Sequence, residues 1–263
     1  MKRICLKIEY DGTSYAGWQR QDNALAVQEV IEDALFSLLK ERVTLTGASR
    51  TDSGVHALCQ MAHFDTVSRI PPEKYCYTLN TMLPGDIRIA DSFAANEDFH
   101  ARFSSIGKVY RYSLRSAEHD SALTRLTRAH TIYALDDALM SAELRSLIGR
   151  HDFAAFAAAG SVVKDTVREI YNTALTRREA EVDIYILGDG FLYNMVRIIA
   201  GTLIYVGTGK TAPGAFIRAM DSGSRLDLGI TAPPNGLTLM EVIYEKDRLD
   251  YLKNGGGWFK EEV

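Results

Sequence analysis

The sequence predicts an α+β protein, and three observations support this class. Segments with the alternating hydrophobic pattern of a strand are interspersed with segments that have the hydrophobic period of a helix. A loose order of strand, helix, hairpin, helix and strand occurs in both halves of the chain. The length of 263 residues allows one large domain or two of ordinary size, with an ample hydrophobic core in either case.

The first half predicts an α+β unit on an antiparallel or mixed sheet. A strand is expected over 3–10, where apolar residues alternate with Lys7 and Glu9. A helix is expected over 24–40, because its apolar residues share one face and Asn23 is available as its N-cap. The further elements are strands at 43–46, 58–65 and 86–94, with a helix that opens at Pro71-Pro72 between the last two.

The second half begins with a strand over 109–115, in which Tyr110, Tyr112 and Leu114 share one face. The elements expected after it are a helix around 136–148, a hairpin over 166–187 with its turn near Arg178-Glu179, a long buried helix over 193–206 and a closing strand over 237–244. The stretch 207–211 resembles the end of a phosphate-binding loop but lacks its first glycine, so it predicts a glycine-capped helix end. Three glycines at 255–257 predict a flexible tail.

Composition narrows the class of protein. We expect a soluble, unprocessed chain, because no early apolar run is flanked by basic residues and no stretch is long enough to span a bilayer. Cys5, Cys59 and Cys76 are widely spaced and odd in number, so they predict neither a disulfide framework nor a zinc set. The histidines lack the spacing of metal ligands, and we expect no metal.

Charge is distributed unevenly along the chain. The net charge of −4 argues mildly against nucleic acid as a partner. Residues 100–128, however, carry six cationic side chains against Glu118 and Asp120, a formal charge of +4. Aromatic residues are interleaved with these cations, and rings among cations suit both base stacking and phosphate contact. The alternative for this stretch is a solvated charged face.

The stretch Arg50-Thr51-Asp52-Ser53-Gly54-Val55-His56 is the strongest candidate site. It follows a short β-rich run and places one carboxylate between an arginine and a glycine turn. An arginine so close keeps a carboxyl group ionised at neutral pH. A lone ionised carboxylate can serve as a nucleophile or a base, but it cannot be half of a glycosidase acid/base pair. The alternative is a turn that Asp52 merely caps.

This stretch resembles the catalytic loop of the tRNA pseudouridine synthases of the TruA family. Four further signatures match in the family's order and cover the chain from end to end. They are Tyr10-Asp11-Gly12-Thr13-Ser14-Tyr15-Ala16-Gly17-Trp18-Gln19-Arg20-Gln21, Phe99-His100-Ala101-Arg102-Phe103 with Gly107-Lys108-Val109-Tyr110-Arg111-Tyr112, Gly190-Phe191-Leu192-Tyr193-Asn194-Met195-Val196-Arg197, and Thr231-Ala232-Pro233-Pro234. One departure is Ser49, where the family has a glycine, and it leaves the geometry of the loop open.

The resemblance implies a pseudouridine synthase fold, with two related subdomains on mixed or antiparallel sheets around a central RNA-binding cleft. We place the boundary near residue 105, so that 1–105 carries the aspartate loop and 106–263 carries Tyr110 and the Arg197 helix. The implied activity converts uridine to pseudouridine at positions 38 to 40 of the tRNA anticodon stem-loop. The implied enzyme is a cytoplasmic homodimer that needs no cofactor.

The resemblance also assigns roles to residues. Asp52 has the covalent or proton-abstracting role; whether it adds to C1′, adds to the uracil ring or removes the C2′ proton stays open. Tyr110 stacks on the uracil, unless it is an ordinary core tyrosine. Arg197 pairs with Asp52, unless it extends to solvent from the helix edge. Arg50 points to phosphate. The other expected tRNA contacts are Phe99, His100, Ala101, Arg102, Phe103, Lys164 and Arg168.

Two alternatives to this function remain at the level of sequence. One is a related synthase with a different RNA target, because catalytic residues recur among relatives while target choice lies in loops. The other is an RNA-binding or chaperone protein whose site has lost activity, against which the intact set of Asp52, Tyr110 and Arg197 argues.

Overall fold

The computed structural model describes residues 1–157 and 165–257, and these residues form ten strands and six α-helices. The strands are β1 (Lys2–Tyr10), β2 (Thr46–Gly47), β3 (His56–Thr66), β4 (Ile87–Ala95), β5 (Gly107–Ser116), β6 (Ala129–Thr131), β7 (Gly149–Asp152), β8 (Val167–Arg178), β9 (Glu181–Gly188) and β10 (Leu237–Ile243). The helices are α1 (Val27–Leu39), α2 (Tyr75–Asn80), α3 (Asp137–Arg145), α4 (Met195–Gly207), α5 (Ala215–Ser222) and α6 (Lys246–Lys253). The α+β class is confirmed.

The chain divides into two compact units. The first contains Met1–Ser105 and Thr238–Tyr244, and the second contains Ile106–Leu237 and the C-terminal segment from Glu245. In the first unit the strand order is β4-β1-β3-β10, with β2 on β3. All of these pairs are antiparallel except β10 with β3, so the sheet is mixed. The closing strand, which the sequence analysis assigned to the second half, therefore lies in the first unit because it pairs with β3.

Helix α1 is capped by backbone rather than by a side chain. Its N-cap residue is Ala26, and the expectation that Asn23 caps it is wrong. The N–H groups of Val27 and Gln28 instead donate to the carbonyls of Gly17 (3.1 Å) and Trp18 (3.0 Å). A preceding loop thus satisfies the N–H groups that every helix leaves unpaired at its start.

The strand expected at 43–46 is reduced to Thr46–Gly47. Side chains of α1 occupy the backbone groups that a longer strand would use. The N–H of Leu45 donates to Glu32 Oε1 at 2.9 Å, and its carbonyl accepts from Gln28 Nε2 at 3.0 Å. Because a backbone group bound by a side chain is not available to a neighbouring strand, the β-rich composition of this run does not lengthen β2.

The second unit has the strand order β5-β9-β8-β7, with antiparallel pairs, and β6 lies parallel to β5. The predicted hairpin is confirmed, and Glu179 at its turn has φ 55°. The predicted helix end is also confirmed, because Gly209 has φ 72° and donates to the carbonyl of Val206 at 3.0 Å. The segment expected to be a flexible tail closes α6, where the Gly255 N–H donates to the Leu252 carbonyl at 3.1 Å.

Sequence analysis did not predict β6, β7, α5 or α6. Helix α5 illustrates why, because its start depends on a distant side chain. Glu143 of α3 is buried, and its carboxylate accepts from the N–H groups of Gly214 and Phe216, both at 2.7 Å. The sequence around α5 cannot reveal this cap, because the capping carboxylate belongs to another helix. No helix among the described residues is long and apolar enough to cross a membrane.

Candidate active site

The loop that carries Asp52 connects β2 to β3 and contains a tight turn. The Val55 N–H donates to the Asp52 carbonyl at 3.1 Å, and Gly54, the third residue of the turn, has φ 76°. A type II turn requires this positive φ at its third residue, which explains the glycine. The Asp52 side chain is half-buried and the Arg50 side chain is exposed. The loop therefore offers a carboxylate at the start of a turn of fixed geometry.

The first signature of the chain holds this loop. The Trp18 N–H donates to the Thr51 carbonyl at 3.1 Å, and the Gly54 N–H donates to the Tyr15 carbonyl at 3.2 Å. The buried hydroxyl groups of Tyr10 and Thr51 lie 2.7 Å apart. The segment that follows β1 is therefore a cradle for the Asp52 loop, and most of its contacts are made by backbone atoms.

The glycines of the cradle allow backbones to meet at close range. A Cβ at Gly12 would lie 2.0 Å from the carbonyl oxygen of Val55. Gly17 has φ 97°, and a Cβ there would lie 2.5 Å from the carbonyl oxygen of Thr51. Both positions exclude every side chain, and Gly17 also adopts a backbone conformation that L residues rarely occupy. The glycines of the first signature thus fix the path of the Asp52 loop.

His56, directly after the loop, is buried. Its Nδ1 lies 3.1 Å from both the Gly12 N–H nitrogen and Asp11 Oδ1. The Gly12 N–H donates to this Nδ1, and Nε2 of the same ring is buried without a hydrogen-bond partner among the described residues. Burial raises the pKa of Asp11, but hydrogen bonds from Thr13, together with the nearby His56, outweigh burial and hold that pKa below its usual value.

Ser49 does not disturb the backbone at the start of the loop. Its φ is not positive, so the position does not need the glycine of the family pattern. The side-chain amide of the fully buried Gln60 holds it from both sides. Gln60 Oε1 accepts from the Ser49 N–H at 3.1 Å, and Gln60 Nε2 donates to the Ser49 carbonyl at 2.7 Å.

In the second unit, Tyr110 lies on β5 and is 6% exposed. Its ring meets the Phe191 ring edge-on, with centroids 5.2 Å apart and planes at 83°. Gly188 allows close packing on several sides, because a Cβ there would lie 3.0 Å from Ile170 Cδ1, 3.1 Å from the Glu169 carbonyl oxygen and 3.3 Å from Phe191 Cζ. Sequence analysis quoted Phe191 within a signature without giving it a role. The signal that could have identified Phe191 is its position three residues after Gly188, the glycine that ends β9.

Arg197 lies in the first turn of α4, and protein acceptors hold its guanidinium. Its Nε donates to the carbonyl of Ala232 at 2.8 Å, and one terminal nitrogen donates to Asn194 Oδ1 at 2.7 Å. Asn194 precedes the helix with φ 61°, a conformation that asparagine adopts more readily than most residues. This arrangement contradicts an arginine that simply extends to solvent. Sequence analysis missed Asn194, although its place just before a helix and three residues before Arg197 was visible.

The segment that supplies the Ala232 carbonyl packs directly on α4. A Cβ at Gly201 would lie 1.9 Å from the carbonyl oxygen of Ile230, so only glycine permits this approach. The Ala232 N–H donates to the carbonyl of Arg197 at 3.0 Å, and the Gly229 N–H donates to Thr202 Oγ1 at 2.9 Å. The Thr-Ala-Pro-Pro signature therefore runs beside the helix and forms part of the support for Arg197.

The residues expected to contact tRNA differ in exposure. Arg102 and Phe103 are exposed, His100 and Phe99 are half-buried, and Ala101 is fully buried. In the second unit, the half-buried Arg168 passes over Gly190, where a Cβ would lie 3.6 Å from its Nε. Lys164 lies outside the described residues. Among the described residues, no three His, Cys, Asp or Glu side chains are placed to hold a metal ion.

Comparison with known proteins agrees with these signatures. The family described as tRNA pseudouridine synthase matches residues 7–104 and 144–245. The chain is 49% identical over 245 residues to tRNA pseudouridine synthase A of Ruminiclostridium cellulolyticum, a match that covers 93% of this chain and all of the relative. It is 48% identical to the protein of the same name from Acetivibrio thermocellus, again with 93% of this chain and all of the relative covered. Among solved structures, a chain of a Cbf5-Nop10-Gar1 complex matches with a TM-score of 0.38 and 11% identity, and the match covers 77% of this chain and 45% of that chain.

Proposed function

The chain belongs to the tRNA pseudouridine synthase family, and we propose that it acts on uridines 38, 39 and 40 of the tRNA anticodon stem-loop. Membership of this family makes it an isomerase that converts uridine to pseudouridine in tRNA. The choice of positions rests on the five ordered signatures that resemble the TruA family.

The reaction needs one well-placed carboxylate rather than a redox centre. The N1–C1′ bond of uridine breaks, the uracil turns, and a C5–C1′ bond forms while C5 loses a proton and N1 gains one. Atoms and electrons balance without an external reactant. The enzyme must also draw the base out of its stack, which costs about a few kcal/mol.

We assign the carboxylate to Asp52. The observation that carries this assignment is the cradle around its loop, because Tyr15, Gly17 and Trp18 hold the turn through backbone atoms. Catalysis by a nucleophile or base depends on such fixed placement, since a misplaced group loses most of its effect. If Asp52 only capped its own turn, the turn would not need these contacts from Tyr15, Gly17 and Trp18.

Three routes are compatible with a single carboxylate. Asp52 adds to C1′, adds to the uracil ring, or removes the C2′ proton to give a glycal. Deuterium at C2′ of the target uridine separates the last route from the other two. A primary isotope effect on the single-turnover rate supports proton removal, and a rate equal to that of ordinary tRNA supports one of the addition routes.

Two residues of the second unit complete the proposed chemistry. Tyr110 stacks on the target uracil and carries the proton lost from C5, and Phe191 limits the orientations of its ring. Arg197 pairs with Asp52, keeping the carboxylate ionised. The fixed guanidinium supports this role, because two of its nitrogens already donate to Ala232 and Asn194.

The proposal extends to the partners. Arg50 contacts phosphate and helps to turn out the nucleotide, and the 99–103 segment, Lys164 and Arg168 bind tRNA. Two copies of the chain form a homodimer that shares one tRNA, in the cytoplasm. These assignments rest on the resemblance and on the cationic and aromatic character of the residues.

The test is to incubate the protein with an unmodified tRNA transcript and to map pseudouridine by carbodiimide modification and primer extension. We expect stops at positions 38 to 40 that do not form with Asp52→Asn. Product at other positions would indicate a related synthase with a different target. Binding without product would indicate an RNA-binding protein that has lost activity.

A further inference from the structure

The loop formed by residues 99–105 presents an aromatic ring to solvent. Phe103 is 75% exposed, the highest value of any described phenylalanine. Exposing a side chain of this size gives up the stabilisation that its burial would bring. A single exposed apolar residue on a mobile loop would need no explanation. This loop, however, is tied in place.

Hydrogen bonds within the loop fix its backbone. The His100 N–H donates to Ser104 Oγ, and the Ser104 N–H donates to the His100 carbonyl, both at 2.9 Å. The Nδ1 of His100 accepts from the N–H groups of Arg102 (3.1 Å) and Phe103 (3.2 Å). The imidazole therefore sits inside the turn, and the Phe103 backbone has little freedom.

Further bonds anchor the loop to the sheet of the first unit. The Ala101 N–H donates to Nδ1 of His63 at 3.2 Å, and its carbonyl accepts from the Tyr244 hydroxyl at 2.7 Å. Arg3 donates to the Phe99 carbonyl at 2.7 Å, and it is itself paired with Asp65 at 2.8 Å. The loop is thus held by side chains from β1 and β3 and by the residue that follows β10.

The ring of Phe103 is supported on one side. Its centroid lies 4.3 Å from that of His100, with planes at 36°, and the guanidinium of Arg102 lies 5.7 Å from the ring. A ring backed by an imidazole and flanked by a cation has the parts of a nucleotide site. The π face suits a base, and the cation suits its phosphate.

We propose that Phe103 is a stacking platform for an unpaired base of the RNA substrate, with Arg102 on the adjacent phosphate. The inference rests on the proposed function and divides the segment expected to bind tRNA into two classes. Phe99 packs against Tyr244 with centroids 5.0 Å apart, and Ala101 is fully buried, so these two support the loop. Within this segment, only Arg102 and Phe103 reach the RNA.

An unpaired base fits the platform better than a base-paired helix does. One ring on a short loop offers a flat apolar face with no row of hydrogen-bonding groups. Single-stranded bases, whose faces are not covered by neighbours, stack on aromatic residues regardless of sequence. The platform therefore adds affinity and positions the strand, and it does not read the sequence.

The chain offers a matched control for the ring. Phe36 on α1 is 40% exposed, and the guanidinium of Arg42 lies 4.9 Å from its ring centroid. It shares with Phe103 an exposed ring and a neighbouring arginine. It lacks the supporting imidazole and lies on a helix outside the 99–105 loop.

The experiment measures binding of the full chain to an unmodified tRNA transcript, with Phe103→Leu, Phe103→Tyr and Phe36→Leu compared across a salt series. We expect Phe103→Leu to weaken binding by roughly 5- to 150-fold, the range found when one base loses its aromatic partner. Phe103→Tyr should stay within about twofold of the wild type, and Phe36→Leu should bind as the wild type does. The salt slope of Phe103→Leu should not change, because no phosphate contact is removed.

Melting temperatures accompany these measurements, and those of the Phe103 variants should not fall. Wild-type affinity of Phe103→Leu, or equal losses for Leu and Tyr, would overturn the platform. Pseudouridine formation, measured separately, keeps the two proposals apart. If the wild type makes pseudouridine and Phe103→Leu binds normally, only the platform fails. If Phe103→Leu loses affinity but the wild type makes no product, the platform stands and the proposed function fails.

Discussion

The two regions that carry the proposed chemistry are held in different ways. The Asp52 loop is held by backbone atoms, with Tyr15 and Trp18 bonded to its main chain and glycines 12 and 17 pressed against it. Arg197 is held by its own guanidinium, which donates to Asn194 Oδ1 and to the Ala232 carbonyl. The position of the Asp52 carboxylate thus depends on the backbone conformation of its loop. The position of the Arg197 guanidinium depends on two specific hydrogen-bond acceptors.

This difference predicts which substitutions each region tolerates. Around Asp52 the sensitive positions are those where an added Cβ meets backbone, because backbone cannot move aside without moving the loop. Around Arg197 the sensitive positions are those that supply an acceptor, because the half-buried, charged guanidinium then loses a hydrogen bond. Substitutions of each kind distinguish support by backbone atoms from support by side-chain acceptors.

The largest expected effect comes from Arg197→Ala. In the proposed pairing, it leaves the half-buried Asp52 carboxylate without its counter-charge, which costs less than the roughly 3–5 kcal/mol of a fully buried pair. We expect the single-turnover rate to fall by at least roughly a hundredfold and the melting temperature to fall, while tRNA affinity changes little. A variant with normal rate and stability but weaker binding would place Arg197 on the RNA and not beside Asp52.

Gly17→Ala tests the backbone support of the Asp52 loop. The new Cβ meets the Thr51 carbonyl oxygen at 2.5 Å in a residue with φ 97°. We expect about 2–5 kcal/mol of destabilisation and a loss of turnover. Gly209→Ala is the matched control, because Gly209 has φ 72° and nothing lies within 4 Å of its Cβ position. It should cost only about 1–2 kcal/mol, and turnover should persist. Equal unfolding free energies for the two variants would show that the positive φ, and not the contact with the Thr51 carbonyl, accounts for the destabilisation.

Asn194→Gly tests the side-chain support of Arg197. Glycine keeps the φ of 61° without strain but removes the oxygen that accepts from the guanidinium. A hydrogen bond to a charged group contributes about 1.5–3 kcal/mol, so we expect kcat to fall by roughly 10- to 100-fold. KM should stay nearly constant, because no RNA contact is removed. Wild-type kcat would mean that the Ala232 carbonyl alone positions Arg197.

Arg102→Ala has the smallest expected effect and leaves both regions intact. If Arg102 contacts a phosphate, its removal should reduce the magnitude of the slope of log K against log salt by roughly one unit. Binding weakens, and turnover at saturating tRNA largely persists. If Arg102→Ala lowered turnover and stability while Arg197→Ala changed only the salt slope, the two arginines would have each other's roles.

Sequence patterns predicted helices and strands better than they predicted the contacts that cap or pair them. The alternation of apolar and charged residues correctly indicated β1, and the spacing of apolar residues correctly indicated α1. The cap of α1 was mispredicted, because carbonyls of a loop replaced the side chain of Asn23. Strand β10 shows the same limit: its local pattern is that of any strand, and only pairing with β3 assigns it to a unit.

The candidate site divides in the same way. Ordered signatures led to the prediction of Asp52, Tyr110 and Arg197 as site residues, because signatures preserve residue types along the chain. The reason for the glycines in those signatures could not be predicted, because Gly17 and Gly201 each pack against backbone atoms of residues that are distant in sequence. Asn194 was missed because its contribution is one oxygen atom aimed at a neighbouring guanidinium.

In the proposed function, Asp52 performs chemistry and does not merely cap a turn. The most direct measurement is the single-turnover rate of Asp52→Asn on an unmodified tRNA transcript, with tRNA affinity and melting temperature measured on the same sample. The amide has almost the same size but cannot act as a nucleophile or base. For Asp52→Asn we predict no detectable pseudouridine, tRNA affinity within a few-fold of the wild type and an unchanged fold. Appreciable turnover, or a joint loss of folding and binding, would contradict this prediction.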